Sequence, residues 1–171
     1  LSYGGGISSI EGASKILESG FEKVILNTNA LKNELLKTIS KKYGSSSTVA
    51  CVDVKKTFFS TNSVYINNGK KRVNSKILDY VLRIQDNGAG EIILQSINRD
   101  GTYKGYDLDL IESITEKLEI PSVAAGGAGK FQDFKDAIQS GASAVAAGSL
   151  FSFKGNHRAV LINYPTRCKS I

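Results

Sequence analysis

Methionine is missing from all 171 residues, and the chain opens on Leu1. A complete gene product begins with Met, so the expectation is a piece of something longer. Proline is nearly missing too, at 2 residues against 17 glycines, which excludes collagen-like and Pro-rich classes. No apolar run approaches the ~18–20 residues of a membrane span, and no signal-peptide pattern is present. The two cysteines, Cys51 and Cys168, make no CxxC or Cys/His pattern, and His157 is the only histidine, so no metal site is expected. Without a secretory signal, the default is two free thiols in a reducing cytoplasm.

What is present is globular composition, 41% hydrophobic and 22% charged. The length suits one domain. Lys and Arg total 22 against 16 Asp and Glu, a net charge of +6. Such an excess favours an anionic ligand or keeps a basic surface soluble. The basic residues, among them Lys41, Lys42, Lys55, Lys56, Lys70, Lys71 and Arg72, are scattered and not interleaved with aromatics, so no nucleic-acid face is expected.

The hydrophobic pattern alternates between strand and helix. A Gly-rich segment, Gly4-Gly5-Gly6, precedes a helix expected over 9–19, with Ile10, Ala13, Ile16 and Leu17 on one face, Ser9 as N-cap and Gly20 as stop. A strand follows at 23–27, a helix at 34–43 and a strand at 48–53. Residues 63–66 and the turn Asn67-Asn68-Gly69 read as a hairpin, with Lys70, Lys71 and Arg72 on its return arm. The rhythm then resumes: helix 75–86, strand 91–95, helix 107–118, strand 122–125, helix 131–140 and strand 142–147. Strands alternating with helices of about ten residues mean parallel βαβ units, in an open sheet or a closed barrel.

An internal repeat favours the barrel. Gly6, Gly20, Asn27 and Thr28 have counterparts at Gly127, Gly141, Gly148 and Ser149, each 121 residues later. Strands 48–53 and 91–95 have no earlier partners, so two βα units, roughly 75 residues, are expected upstream, which brings the total near the ~250 residues of a typical barrel. The chain therefore reads as one partial (β/α)8 barrel over 1–171 holding the third to eighth strands, with a hairpin insertion over 57–74 after the fifth.

Barrel chemistry lies at the C-terminal ends of the strands. Gly4-Gly5-Gly6 and Gly126-Gly127-Ala128-Gly129 each lead into a helix, where backbone N–H groups and the helix N-terminus favour an anion. Asn27-Thr28 and Gly148-Ser149 add side-chain donors at neighbouring strand ends. Two phosphates on one substrate are the reading these features favour, although glycines also simply make tight turns. Asp53 ends an apolar strand on the face of Val49 and Cys51, and is a general acid/base candidate. Its alternative is a structural ion pair with Lys55 or Lys56. Asp100, in Arg99-Asp100-Gly101, more often belongs to turn chemistry. Cys51 reads as core and His157 as surface.

Several segments together resemble the cyclase subunit of imidazole glycerol phosphate synthase, the HisF family. They are Tyr3-Gly4-Gly5-Gly6-Ile7, Val24-Ile25-Leu26-Asn27-Thr28, Val52-Asp53-Val54-Lys55-Lys56, Gly90-Glu91-Ile92-Ile93-Leu94, Asn98-Arg99-Asp100-Gly101-Thr102 and Ala125-Gly126-Gly127-Ala128-Gly129. The resemblance implies a (β/α)8 barrel and a lyase/cyclase. That enzyme uses ammonia from a glutaminase partner to convert a bis-phosphorylated ribulosyl aminoimidazole-carboxamide, closing the imidazole ring and cleaving the substrate, with no cofactor. It implies Asp53 as one of two catalytic carboxylates. The other falls upstream of Leu1, so the 171 residues alone are expected to be inactive. Gly6, Asn27 and Thr28 match one phosphate site, and Gly101, Gly127, Gly148 and Ser149 the other. Ser96 and Asp100 are expected near the substrate. Lys23 and Glu91 match charged residues ringing the end where ammonia enters, as a gate or as a structural ion pair.

The sequence also departs from the family. Gln95 stands where a Thr is usual, Asn98 replaces an Asp and Gly148 an Ala. The tail 157–165 does not look like the usual final helix and is more similar to barrel subunits of surface-polysaccharide pathways. Two alternatives follow: delivery of ammonia for sugar amidation, and a non-catalytic barrel that only conducts ammonia and activates the glutaminase.

Overall fold

The computed structural model describes residues 1–57, 62–154, 159, 160 and 162. Six parallel strands alternate with helices: β1 (Ser2–Gly4), α1 (Ile10–Glu18), β2 (Lys23–Leu26), α2 (Leu35–Tyr43), β3 (Thr48–Lys56), then a hairpin of β4 (Asn62–Ile66) and β5 (Lys71–Arg72). After it come α3 (Ile77–Asp86), β6 (Glu91–Ser96), α4 (Leu108–Thr115), β7 (Ser122–Ala125), α5 (Phe131–Gln139), β8 (Ala144–Ala146) and a one-turn α6 (Ser149–Ser152). The parallel strands lie in the order β1-β2-β3-β6-β7-β8, with the hairpin attached antiparallel to β3. A short antiparallel pair, β9 (Phe153–Lys154) and β10 (Ala159–Val160), follows α6. His157 and Cys168 lie outside the described residues.

The alternation of side chains separates the two faces of this sheet. Val24, Leu26, Ala50, Val52, Val54, Ile92 and Leu94 are buried against Leu36, Ile39, Val81 and Ile84 of α2 and α3. This layer is the main core, and burying each such side chain is worth about 1.5–3 kcal/mol. The register pairs Ile25 with Val49, Val49 with Glu91, Cys51 with Ile93 and Asp53 with Gln95, so these residues share the opposite face. Lys23 and Asn27 share that face by parity.

The repeat extends well beyond the glycines that announce it. The β1–β2 register, Ser2 on Lys23 to Gly4 on Ile25, recurs 121 residues later as Val123 on Ala144 to Ala125 on Ala146. Helix α1 shifted by the same amount coincides with α5 at both ends. The C-terminal turns coincide bond for bond. Gly20 N donates to Leu17 O and Glu22 N to Leu1 O, while Gly141 N donates to Ile138 O and Ser143 N to Ser122 O. Gly20 (φ 101°) and Gly141 (φ 100°) adopt the same left-handed conformation.

Several elements differ from the pattern expected of the sequence. Strand β3 does not stop at Asp53 but runs on to Lys56, because the hairpin pairs with its last residues from Asp53–Tyr65 to Lys56–Asn62. Strand β8 is shorter than the apolar run 142–147, since only Ala144–Ala146 find partners on β7. Lys70 belongs to a four-residue turn rather than to the return arm, because Ile66 pairs with Lys71. Helix α6 and the β9–β10 pair have no counterpart in the expected elements.

Candidate active site

Asp53 stands at the centre of the strand order, on β3 next to Gln95 of β6. Its carboxyl is half-buried, and burial pushes it above its ordinary value, while hydrogen bonds with Asn27 and Cys51 pull it back in part. The Cys51 thiol lies 3.9 Å from Asp53 Oδ1, and burial first, then the neighbouring carboxylate, push that thiol up to about 12. A thiol so held is a weak donor to the carboxylate and not a nucleophile. Among the described residues Asp53 forms no ion pair, and the Lys55 ammonium sits 5.7 Å over the Tyr65 ring instead. A carboxyl raised toward neutrality on an inward face can both give and take a proton.

A recess on each side of Asp53 gathers the expected anion-binding residues. On the β1–β2 side a cavity of about 690 Å³ is lined by Gly4, Gly5, Gly6, Asn27 and Thr28, with Cys51 at its wall. Gly5 (φ 118°) and Gly6 (φ 69°) are left-handed, and a Cβ on either would meet nothing within 4 Å. Among the described residues their requirement is conformational. On the β7–β8 side a recess of about 20 Å³ brings together Asp100, Gly101, Gly127, Gly148 and Ser149. There packing adds to the need for glycine. A Cβ on Gly127 would lie 2.2 Å from the Gly105 carbonyl oxygen, and one on Gly129 2.4 Å from that of Tyr103. The Gly105 amide in turn donates to Gly127 O at 2.9 Å, locking the 99–105 loop onto the β7–α5 turn.

Three of the expected residues lie away from both recesses, Lys23 and Glu91 at the opposite end of the strands as expected. Ser96 is buried by parity on the helix-facing side with Ile92 and Leu94, and the structure does not bring its side chain to the face of Asp53. Lys23 and Glu91 do meet, Nζ to Oε2 at 2.6 Å, at the N-terminal end of the sheet and partly buried. This ion pair bridges β2 and β6 across β3, away from both recesses. Sequence reasoning missed the part played by the hairpin. Asn67, Asn68 and Lys70 line the larger recess, and the Asn67 amide donates to Thr28 Oγ1 at 2.9 Å. The Asn-Gly turn marked the hairpin, but no local pattern says which strand end a turn will reach. Asn98, a departure from the resembled pattern, accepts from the Lys56 amide at 2.7 Å and ties the end of β3 to the β6–α4 loop.

The duplicated strand-end recesses and the inward carboxylate accord with a comparison to known families, in which residues 1–158 match the model of the histidine biosynthesis proteins. The chain belongs to that family. The curled parallel sheet with its alternating helices is accordingly part of a (β/α)8 barrel. Among curated histidine biosynthesis proteins, it is 45% identical over 167 residues to one of Pseudomonas aeruginosa named "Putative imidazole glycerol phosphate synthase subunit hisF2", covering 96% of this chain and 66% of that one. It is 44% identical over 170 residues to a "Putative imidazole glycerol phosphate synthase subunit HisF" of Leptospira interrogans, covering 98% and 67%. It is 39% identical over 155 residues to imidazole glycerol phosphate synthase subunit HisF of Alkaliphilus metalliredigens, covering 90% and 62%. The chain thus spans about two thirds of the length of the curated relatives it matches.

Proposed function

We propose that this chain is the greater part of the cyclase subunit of imidazole glycerol phosphate synthase. It would take ammonia from a glutaminase partner and convert a bis-phosphorylated ribulosyl aminoimidazole-carboxamide to imidazole glycerol phosphate, in the cytoplasm. The observation that carries the reading is the placement of Asp53 on β3, between a glycine-lined recess at β1–β2 and its 121-residue counterpart at β7–β8. The relatives' names speak for the same reaction and not for sugar amidation.

In this reading Gly6, Asn27 and Thr28 hold one phosphate and Gly101, Gly127, Gly148 and Ser149 the other. The substrate is stretched across the strand ends with its reacting centre above Asp53, and Asp100 borders the second phosphate. Asp53 exchanges a proton with the bound intermediate, and Asn27 orients it through their hydrogen bond. Lys23 and Glu91 gate the end of the barrel where ammonia arrives. The partial barrel 1–171 with its hairpin is one domain.

The test is ammonia-dependent turnover of the bis-phosphorylated intermediate by the full-length protein. Turnover that disappears in Asp53→Asn supports the reading. Absence of turnover alongside intact activation of the glutaminase overturns it in favour of a conduit role.

A further inference from the structure

The larger recess poses an electrostatic problem. A phosphate monoester carries about −1.5 to −2 charges at neutral pH. Gly4–Gly6 offer neutral backbone donors, Asn27 and Thr28 offer neutral side-chain donors, and the N-terminal end of α1 adds only about half a charge. Among the described residues Lys70 is the one cation lining the recess, and the other lining residues are uncharged. It comes not from a strand end but from the hairpin turn.

That turn is held in place. Asn67, Asn68 and Gly69 are all left-handed, at φ 54°, 56° and 73°, and the Lys70 amide closes the turn onto Asn67 O at 3.2 Å. The Asn67 amide caps Thr28 Oγ1. With an amide occupying a lone pair of that oxygen, the Thr28 hydroxyl proton is left to donate elsewhere, and the recess lies beside it. The arm carrying the turn pairs with β3 from Asp53 outward, so the hairpin that carries the cation is bonded directly to the strand that carries the carboxylate. Among the described residues the smaller recess is lined by one charged residue, Asp100.

We propose that Lys70 is the counter-cation of the phosphate in the larger recess, carried there by the hairpin turn. The proposal rests on the phosphate reading of that recess. Lys70 is a binding residue, so its removal weakens substrate capture more than it slows the reacting step.

The experiment uses the full-length protein with its glutaminase partner, the bis-phosphorylated substrate, and inorganic phosphate as a competing probe. Lys70→Ala and Lys70→Met are expected to raise KM about tenfold or more, to weaken inhibition by phosphate similarly, and to lower kcat by less. Lys70→Arg, which restores the charge, is expected within about threefold of the wild type. If Lys70→Ala keeps KM and phosphate inhibition within about twofold of an active, phosphate-inhibited wild type, the proposal is overturned while the phosphate reading stands. A wild type that is neither active nor inhibited by phosphate overturns both.

Discussion

At the scale of single residues, the chemistry turns on how burial treats two neighbouring acids. Asp53 is raised by desolvation, so the folded chain holds its proton more tightly than the unfolded chain does. Stability must therefore fall as pH rises through the window from the ordinary carboxylate value up to the folded one. Above that window the full cost of burying the charge is felt. Asp53→Asn is thus expected to abolish turnover, to keep phosphate binding, and to be at least as stable as the wild type at pH 7. Its advantage should shrink as the pH falls below the carboxylate range, as thermal melts from pH 3 to 8 would show. Cys51, pushed up to about 12, should stay unmodified by iodoacetamide at pH 8 in the native protein and react after unfolding, as peptide mass mapping would read. The inward placement of Asp53 was legible in the alternation Val49-Cys51-Asp53. Its contacts with Asn27 were not, because they cross from one strand to the next.

At the scale of elements, caps and periodicity told most of the story. Ser9 caps α1 by accepting from the Gly12 amide at 3.2 Å, and the helix ends one residue before its Ser19 C-cap and two before Gly20, as the sequence pattern predicts. Where elements meet, the glycines divide into two kinds. Gly6→Ala adds a Cβ into open space at a left-handed φ, and should cost about 1–2 kcal/mol. Gly127→Ala also meets a positive φ, at 112° against 69°, and in addition drives a Cβ into the Gly105 carbonyl, so it should cost more and displace the 99–105 loop. Urea denaturation of the two variants checks the order; a smaller or equal loss for Gly127→Ala would overturn it. In sequence both are members of similar Gly-rich runs. At Gly127 the packing comes from the 99–105 loop, whose counterpart 121 residues earlier falls before Leu1.

At the scale of the whole molecule, the repeat and the Lys23–Glu91 pair describe how the sheet is joined. The pair spans β3 and is partly shielded, so its coupling should exceed that of an exposed pair and fall short of a buried one. A double-mutant cycle with Lys23→Met and Glu91→Leu is expected to give about 1–2 kcal/mol, with each single variant less stable than the double. A coupling near zero would reduce the pair to a surface contact. The amino-acid order by itself determined the alternation of strand and helix, the 121-residue repeat and the inward face of Asp53. These rest on periodicity and on backbone demands that act within a few residues. Only the tertiary structure decided that the hairpin turn would reach Thr28 and carry Lys70 to the larger recess. It alone made Gly127 a packing glycine, by bringing the Gly105 carbonyl against it. Those outcomes depend on which strand ends the curl of the sheet brings together, and no local pattern carries that information.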